Sequence, residues 1–131
     1  MICKRSLLSM NTISIIENTD NPLLFHCQIH TPKDIYNIPL NHILFIECAQ
    51  KKSFIHTKNE IFTVHIPLYR IKEILPSHLF LQTHRSFLVN LNHISRIDKQ
   101  TDPWTISFFH SEKQAYISRN SRQAILKAVS D

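Results

Sequence analysis

Apolar and polar residues alternate with a period of two through several short windows of this chain. Phe25, Cys27 and Ile29 interleave with His26, Gln28 and His30, the pattern of a strand with one face turned inward. Residues 35–39 are a further candidate strand, and Pro39 confines it to a strand end or a sheet edge. The run Ile43-Leu44-Phe45-Ile46-Glu47-Cys48 opens with four consecutive apolar positions and predicts a central, well-buried strand. Residues 53–58 and 61–66 read as a hairpin around Asn59-Glu60, where Asn tolerates the left-handed backbone that a tight turn needs. Further strands are expected at 80–82, 87–90, 94–98, 104–108 and 114–118, with 98–103 as loop and 110–113 as turn.

The period changes at Pro67. Leu68, Ile71, Ile74 and Leu75 recur at helical spacing and predict a short helix over 67–75; proline suits its first turn, and Pro76 ends it. Ala124, Ile125, Ala128 and Val129 predict a last helix from about residue 120, capped by Ser118 or Asn120. Many short strands and two short helices define a mainly β domain. Residues 1–22 have weaker periodicity and are expected to be an N-terminal arm or an extra edge strand ahead of a domain spanning 23–131.

Composition narrows the function classes. A hydrophobic fraction of 43% over 131 residues supports one domain with a real core. Fifteen Lys and Arg against ten Asp and Glu leave a formal charge of +5, which favours polyanion partners: nucleic acid or an anionic membrane surface. Glycine is absent, so glycine-rich phosphate loops, the dinucleotide fingerprint and the serine nucleophile elbow are excluded. Turns are left to Asn, Asp and Pro. Cys3, Cys27 and Cys48 are odd in number and lack C-x-x-C spacing, which argues for reduced thiols over a disulfide scaffold or zinc site. No apolar run reaches the ~20 residues of a membrane span. The basic start Met1-Ile2-Cys3-Lys4-Arg5 is followed by too short and broken an apolar stretch for a signal peptide, so the expected location is cytoplasmic.

Three polar, basic clusters fall in expected loops or strand ends: Gln50-Lys51-Lys52-Ser53, His84-Arg85-Ser86, and Ser118-Arg119-Asn120-Ser121-Arg122. Phosphate oxygens take charge-assisted donors, and guanine presents two major-groove acceptors that Arg meets in a bidentate way. Arg85, Arg119 and Arg122 are therefore candidates for base or phosphate contact, and Lys51 and Lys52 for the phosphate backbone. Each has a plainer reading: solvated turn lysines, Arg119 paired with Glu47 or Glu112, and His84 orienting a neighbouring loop. Nine histidines invite a metal reading, but His26 and His30 lie on a strand and no second ligand pair stands at a known interval. Nothing marks a catalytic Cys-His, Ser-His or paired-carboxylate site, so no enzyme activity, metal or cofactor is expected.

The run Phe80-Leu81-Gln82-Thr83-His84-Arg85-Ser86-Phe87-Leu88-Val89-Asn90 resembles the signature of the LytTR family, the DNA-binding module of many bacterial response regulators. Ile43-Leu44-Phe45-Ile46-Glu47, Ile94-Ser95-Arg96-Ile97 and Ala115-Tyr116-Ile117-Ser118-Arg119 support it by order and spacing, over roughly residues 35–129. The resemblance implies small stacked antiparallel sheets with a short helix between them. It implies loops that enter successive major grooves and bend the duplex, with two copies on a tandem-repeat site. Its DNA contacts, carried over, are Lys52 and Ser53, Arg85 flanked by His84 and Ser86, and Arg119 with Asn120 and Arg122. The chain departs from the family in the turn before its last strand, usually glycine-bearing, which here reads His110-Ser111-Glu112-Lys113. The loop after Glu47 carries two lysines in place of a diagnostic residue. The expectation is a free-standing module without a receiver domain, and some free-standing members of the family are held in check by a membrane protein or another regulator.

The expectation is a sequence-specific transcriptional regulator that binds double-stranded DNA. The alternative is a non-catalytic interaction module whose basic face docks an acidic protein partner or an anionic membrane surface. A third reading, a redox or ligand sensor using Cys27 or Cys48, predicts that thiol alkylation changes binding; both cysteines are expected to be buried in strands, so little effect is expected.

Overall fold

The structure, a computed structural model, describes residues 12–16 and 25–130. The described residues form three antiparallel sheets and two α-helices. The first sheet holds β1 (Thr12–Ile16), β2 (His26–His30) and β3 (Ile35–Pro39) in that order. The second and largest combines β4 (Ile43–Ala49), β5 (Lys52–Thr57), β6 (Ile61–Val64), β7 (Phe80–His84) and β8 (Phe87–Asn90) in the order β6-β5-β4-β8-β7. The third runs β11-β10-β9, from β9 (Ile94–Asp98), β10 (Trp104–Phe108) and β11 (Gln114–Ile117). Helix α1 (Leu68–Ile74) follows β6, and α2 (Arg122–Ser130) closes the described chain after a 3-10 turn at Arg119–Ser121. The mainly β class with small stacked sheets and two short helices is the one expected from the sequence. Within the stretch 1–22, Thr12–Ile16 is an edge strand paired to β2; the rest of that stretch lies outside the described residues.

The large sheet is buried on both faces, which explains the unbroken apolar run of β4. Ile43 and Ile46 face one core with Ile29, Ile38, Ile55, Ile71 and Leu88, between the first sheet, α1 and the large sheet. Leu44 and Phe45 face the other with Val89, Ile106, Phe108, Ile117 and Ile125, under the third sheet and α2. Two neighbours share a face because the register slips between Ile43 and Phe45: Ile43 pairs with Thr57 while Phe45 pairs with His56. Leu44 is the extra residue of a β-bulge.

Asn90 ties the layers together. It is buried, and its amide nitrogen donates to the Ile43 carbonyl at 2.9 Å and the Leu40 carbonyl at 3.4 Å. Its Oδ1 accepts from the Asn92 amide at 3.0 Å, turning the chain out of β8.

The turns depart from expectation. The β5–β6 hairpin forms, but Asn59 is not left-handed. Its loop is closed by Thr57, whose hydroxyl accepts from the Glu60 amide while its amide donates to the Glu60 carbonyl. The left-handed positions are instead Gln50 (φ 52°), Lys51 (φ 66°) and His110 (φ 58°). Gln50 and Lys51 are the two central residues between the paired Ala49 and Lys52, where a two-residue hairpin demands positive φ at both. His110 takes the left-handed conformation in the turn before the last strand, which carries no glycine. The last helix also differs: only Ile125 is fully buried, Val129 is 44% exposed, and the Ser118 hydroxyl bonds the Ser121 hydroxyl rather than capping an amide.

Candidate nucleic-acid interface

The three basic clusters are brought to one end of the large sheet by its strand order. The β4–β5 turn lies at the C-terminal end of β4, and the β7–β8 turn lies at the N-terminal end of its antiparallel neighbour β8. The Cys48 amide donates to the Ser86 carbonyl at 2.9 Å and fastens the two turns side by side. The third cluster joins through Thr83. Its register slips between Gln82 and His84, so Thr83 turns inward, fully buried. There its hydroxyl donates to the Tyr116 carbonyl at 2.8 Å, and its carbonyl accepts from the Ser118 amide at 2.8 Å. The β7–β8 turn is therefore central, with Gln50–Lys52 on one flank and Ser118–Arg122 on the other.

Arg85 is exposed, and its guanidinium has no partner among the described residues. The turn beneath it is rigid: His84 Nδ1 accepts from the Ser86 amide at 3.1 Å, and the His84 ring stands edge-on to Phe87 at 5.7 Å. His84 thus orients the turn, and its Nε2 is left as the ring donor. Lys51 is exposed and Lys52 half-buried; with Arg85, Ser86 and Cys48 they line a groove of about 410 Å³.

Ser53 is placed differently from expectation. It is fully buried, and its hydroxyl donates to the Ile66 carbonyl at 2.6 Å. That bond anchors the base of the β4–β5 hairpin and leaves no hydroxyl for a ligand. Asn120 is exposed within the 3-10 turn.

Arg119 pairs with neither Glu47 nor Glu112. Its partner is Asp102 at 3.2 Å, in the β9–β10 loop. Arg122 approaches the other oxygen of Asp102 at 3.9 Å and lies over the Trp104 ring, 4.5 Å from its centroid. Glu47 is taken by His56 at 2.8 Å. The sequence pattern marks Asp102 as loop and Trp104 as a strand residue; only the pairing of β10 with β11, Trp104 against Ile117, brings them to the start of the last helix.

Cys27 is fully buried, and burial pushes its thiol up to about 12. Such a thiol is unreactive at neutral pH. Among the described residues no three His, Cys, Asp or Glu side chains gather as a metal set, and no helix is long and apolar enough to cross a membrane.

The three turns at this end of the large sheet present Lys51, Arg85 and Arg119 to solvent from a strand-built scaffold. Residues 33–130 match the family model described as the LytTr DNA-binding domain, and the chain belongs to this family. It is 35% identical over 66 residues to the transcriptional regulatory protein YpdB of Escherichia coli K12, across 50% of this chain and 25% of that protein. To the sensory transduction protein LytT of Bacillus cereus it is 26% identical over 108 residues, across 82% of this chain and 42% of that one. The chain thus spans less than half the length of these curated relatives. The fold is that of the LytTr DNA-binding domain of a methyl-accepting/DNA response regulator from Bacillus cereus, with a TM-score of 0.67 at 21% identity over 92% of this chain and 98% of that one.

Proposed function

We propose that the protein is a sequence-specific DNA-binding transcriptional regulator that reads double-stranded DNA with the three turns at one end of its large sheet. The observation that carries this reading is their physical linkage: Cys48 to Ser86 and Thr83 to Ser118 hold the clusters in one row. Arg85 is central, unpaired and rigidly mounted, which suits bidentate readout of a guanine. Arg119 reads a second position. Lys51, Lys52 and Ser86 contact backbone phosphate on one flank, and Asn120 and Arg122 on the other. His84 adds one ring N–H. Ser53 supports its hairpin from inside.

In this reading the turns enter successive major grooves, Arg85 and Arg119 reach base edges there, and two copies occupy a tandem-repeat site in the cytoplasm. The family membership supports DNA as the ligand; the row of turns supports the arrangement.

The test is selection of bound duplexes from a random pool, followed by anisotropy titrations across salt. Recovery of a repeated motif, bound at least a hundredfold above random duplex, is the expected result. Equal affinity for all duplexes, together with flotation on anionic vesicles, would overturn it in favour of a surface-docking module.

A further inference from the structure

Two arginines of the contact face meet a carboxylate among the described residues, and they meet the same one. Asp102 offers one oxygen to Arg119 at 3.2 Å and the other to Arg122 at 3.9 Å. The three side chains differ in freedom. Arg122 is 30% exposed, lies over Trp104, and has a buried Nε with no hydrogen-bond partner. Arg119 is 77% exposed. The loop that carries Asp102 is itself held: the Gln100 amide donates to Asp98 Oδ1, and the Thr101 hydroxyl donates to the Asp98 carbonyl. Support therefore runs outward from Trp104 to Arg122, then to Asp102, then to Arg119.

Only Nη2 of Arg119 is engaged by the carboxylate. The rest of the fork stays open, enough for the two acceptors of a guanine edge. A carboxylate at this place favours a neutral base edge over an anion. A phosphate approaching Arg119 meets the Asp102 charge, whereas guanine N7 and O6 do not carry a net charge to repel.

We infer that Asp102 is a specificity-determining positioning residue of the DNA interface: it holds Arg119 in orientation for a base edge and lowers the value of the Arg119–Arg122 pair as a general phosphate grip. This rests on the DNA-binding reading above. It makes the effects of losing the charge opposite in sign on two kinds of DNA. Random duplex gains an accessible cation pair, while the selected site loses the preset orientation of Arg119.

The experiment is Asp102→Asn in the full chain, titrated by anisotropy on the selected duplex and on a random duplex between low and moderate salt. Affinity for random duplex is expected to rise about fivefold, the scale of an exposed ion pair, with a salt slope steeper by about one. Affinity for the selected duplex is expected to fall, so the ratio of the two drops by more than the random-duplex gain alone. In an Arg119→Ala background the same substitution should leave the ratio unchanged. Equal gains on both duplexes would make Asp102 a mere counter-ion and overturn the inference, as would no change on either. If the unaltered protein shows no salt-dependent binding to any duplex, the DNA reading itself fails; if it binds and Asp102→Asn changes nothing, only this inference does.

Discussion

Lys113 directs its ammonium at Nδ1 of His56 from 3.3 Å. An ammonium has only hydrogens to offer, so Nδ1 must be the acceptor and the imidazole neutral. The ring hydrogen is then on Nε2, which donates to Glu47 at 2.8 Å. Lys113 also donates to the Thr57 carbonyl at 2.9 Å, so this small network joins the approach to β11 to the strand β5. His56 is further stacked on Phe45 at 4.3 Å. Burial, reinforced by the Lys113 charge, lowers the His56 pKa below its ordinary 6.5 despite Glu47.

A pH dependence follows. A histidine with a lowered folded pKa takes up its proton more readily in the unfolded chain. Its contribution to stability is complete above pH 6.5 and is lost as pH falls through the lowered folded value. The urea midpoint should therefore drop between pH 7.5 and pH 5.5. Lys113→Gln removes one cause of the lowering and should flatten that drop. A drop of the same size in both proteins would mean that the Lys113 charge does not contribute to it.

The left-handed residues give a stability prediction. A side chain with a Cβ in this conformation costs about 1 kcal/mol, and glycine avoids the clash at some expense in unfolded-chain entropy. His110 has φ 58° and is exposed. His110→Gly should stabilise the protein by about 0.5–1 kcal/mol, read from thermal or urea unfolding, whereas His110→Ala should give no gain. Stabilisation by both substitutions alike would show that the backbone was not the cause.

Asn90→Leu should cost about 2–4 kcal/mol, because leucine supplies none of the amide's bonds and leaves the Ile43 carbonyl buried without its side-chain donor. The loss should appear equally in folding stability at every pH from 6 to 8, since the group does not titrate. A variant within 1 kcal/mol of the parent would mean that the carbonyls of Leu40 and Ile43 find other donors.

What could be read from the sequence was set by how local each signal is. The apolar run at Ile43–Ile46 marks β4 because a strand covered on both faces has no polar positions to alternate with. Pro67 and Pro76 bracket α1 because proline acts on its own neighbours. The basic clusters were visible as clusters because each is contiguous. Turn chemistry was not visible: Gln50-Lys51 carries no marker for positive φ, and strand pairing imposes it. In the sequence Ser53 is a hydroxyl beside two lysines; its burial depends on Ile66, thirteen residues on. The grouping of Asp102, Trp104, Arg119 and Arg122 depends on β10 pairing with β11, a relation that no window of the sequence contains.

Thr83 makes that dependence testable. It stands in the signature run, yet it is buried and its work is done through two bonds to the β11 end: its hydroxyl to Tyr116 and its carbonyl to Ser118. Thr83→Val keeps the volume, removes the hydroxyl and leaves the Tyr116 carbonyl without that partner, which should cost about 1–3 kcal/mol. The larger effect is expected on binding. Arg85 sits on a turn closed by His84 and Ser86 and should keep its position, while Arg119 and Arg122 lose one of the two ties that hold them beside it. Affinity for the selected duplex should then fall more than the folding equilibrium accounts for, under conditions where the variant is fully folded by circular dichroism. Bases read from the Arg119 flank should lose discrimination first, and those read by Arg85 should keep theirs. Uniform loss across all base positions would mean that the two turns are not mounted independently, and the row of contacts would have to be treated as one rigid body.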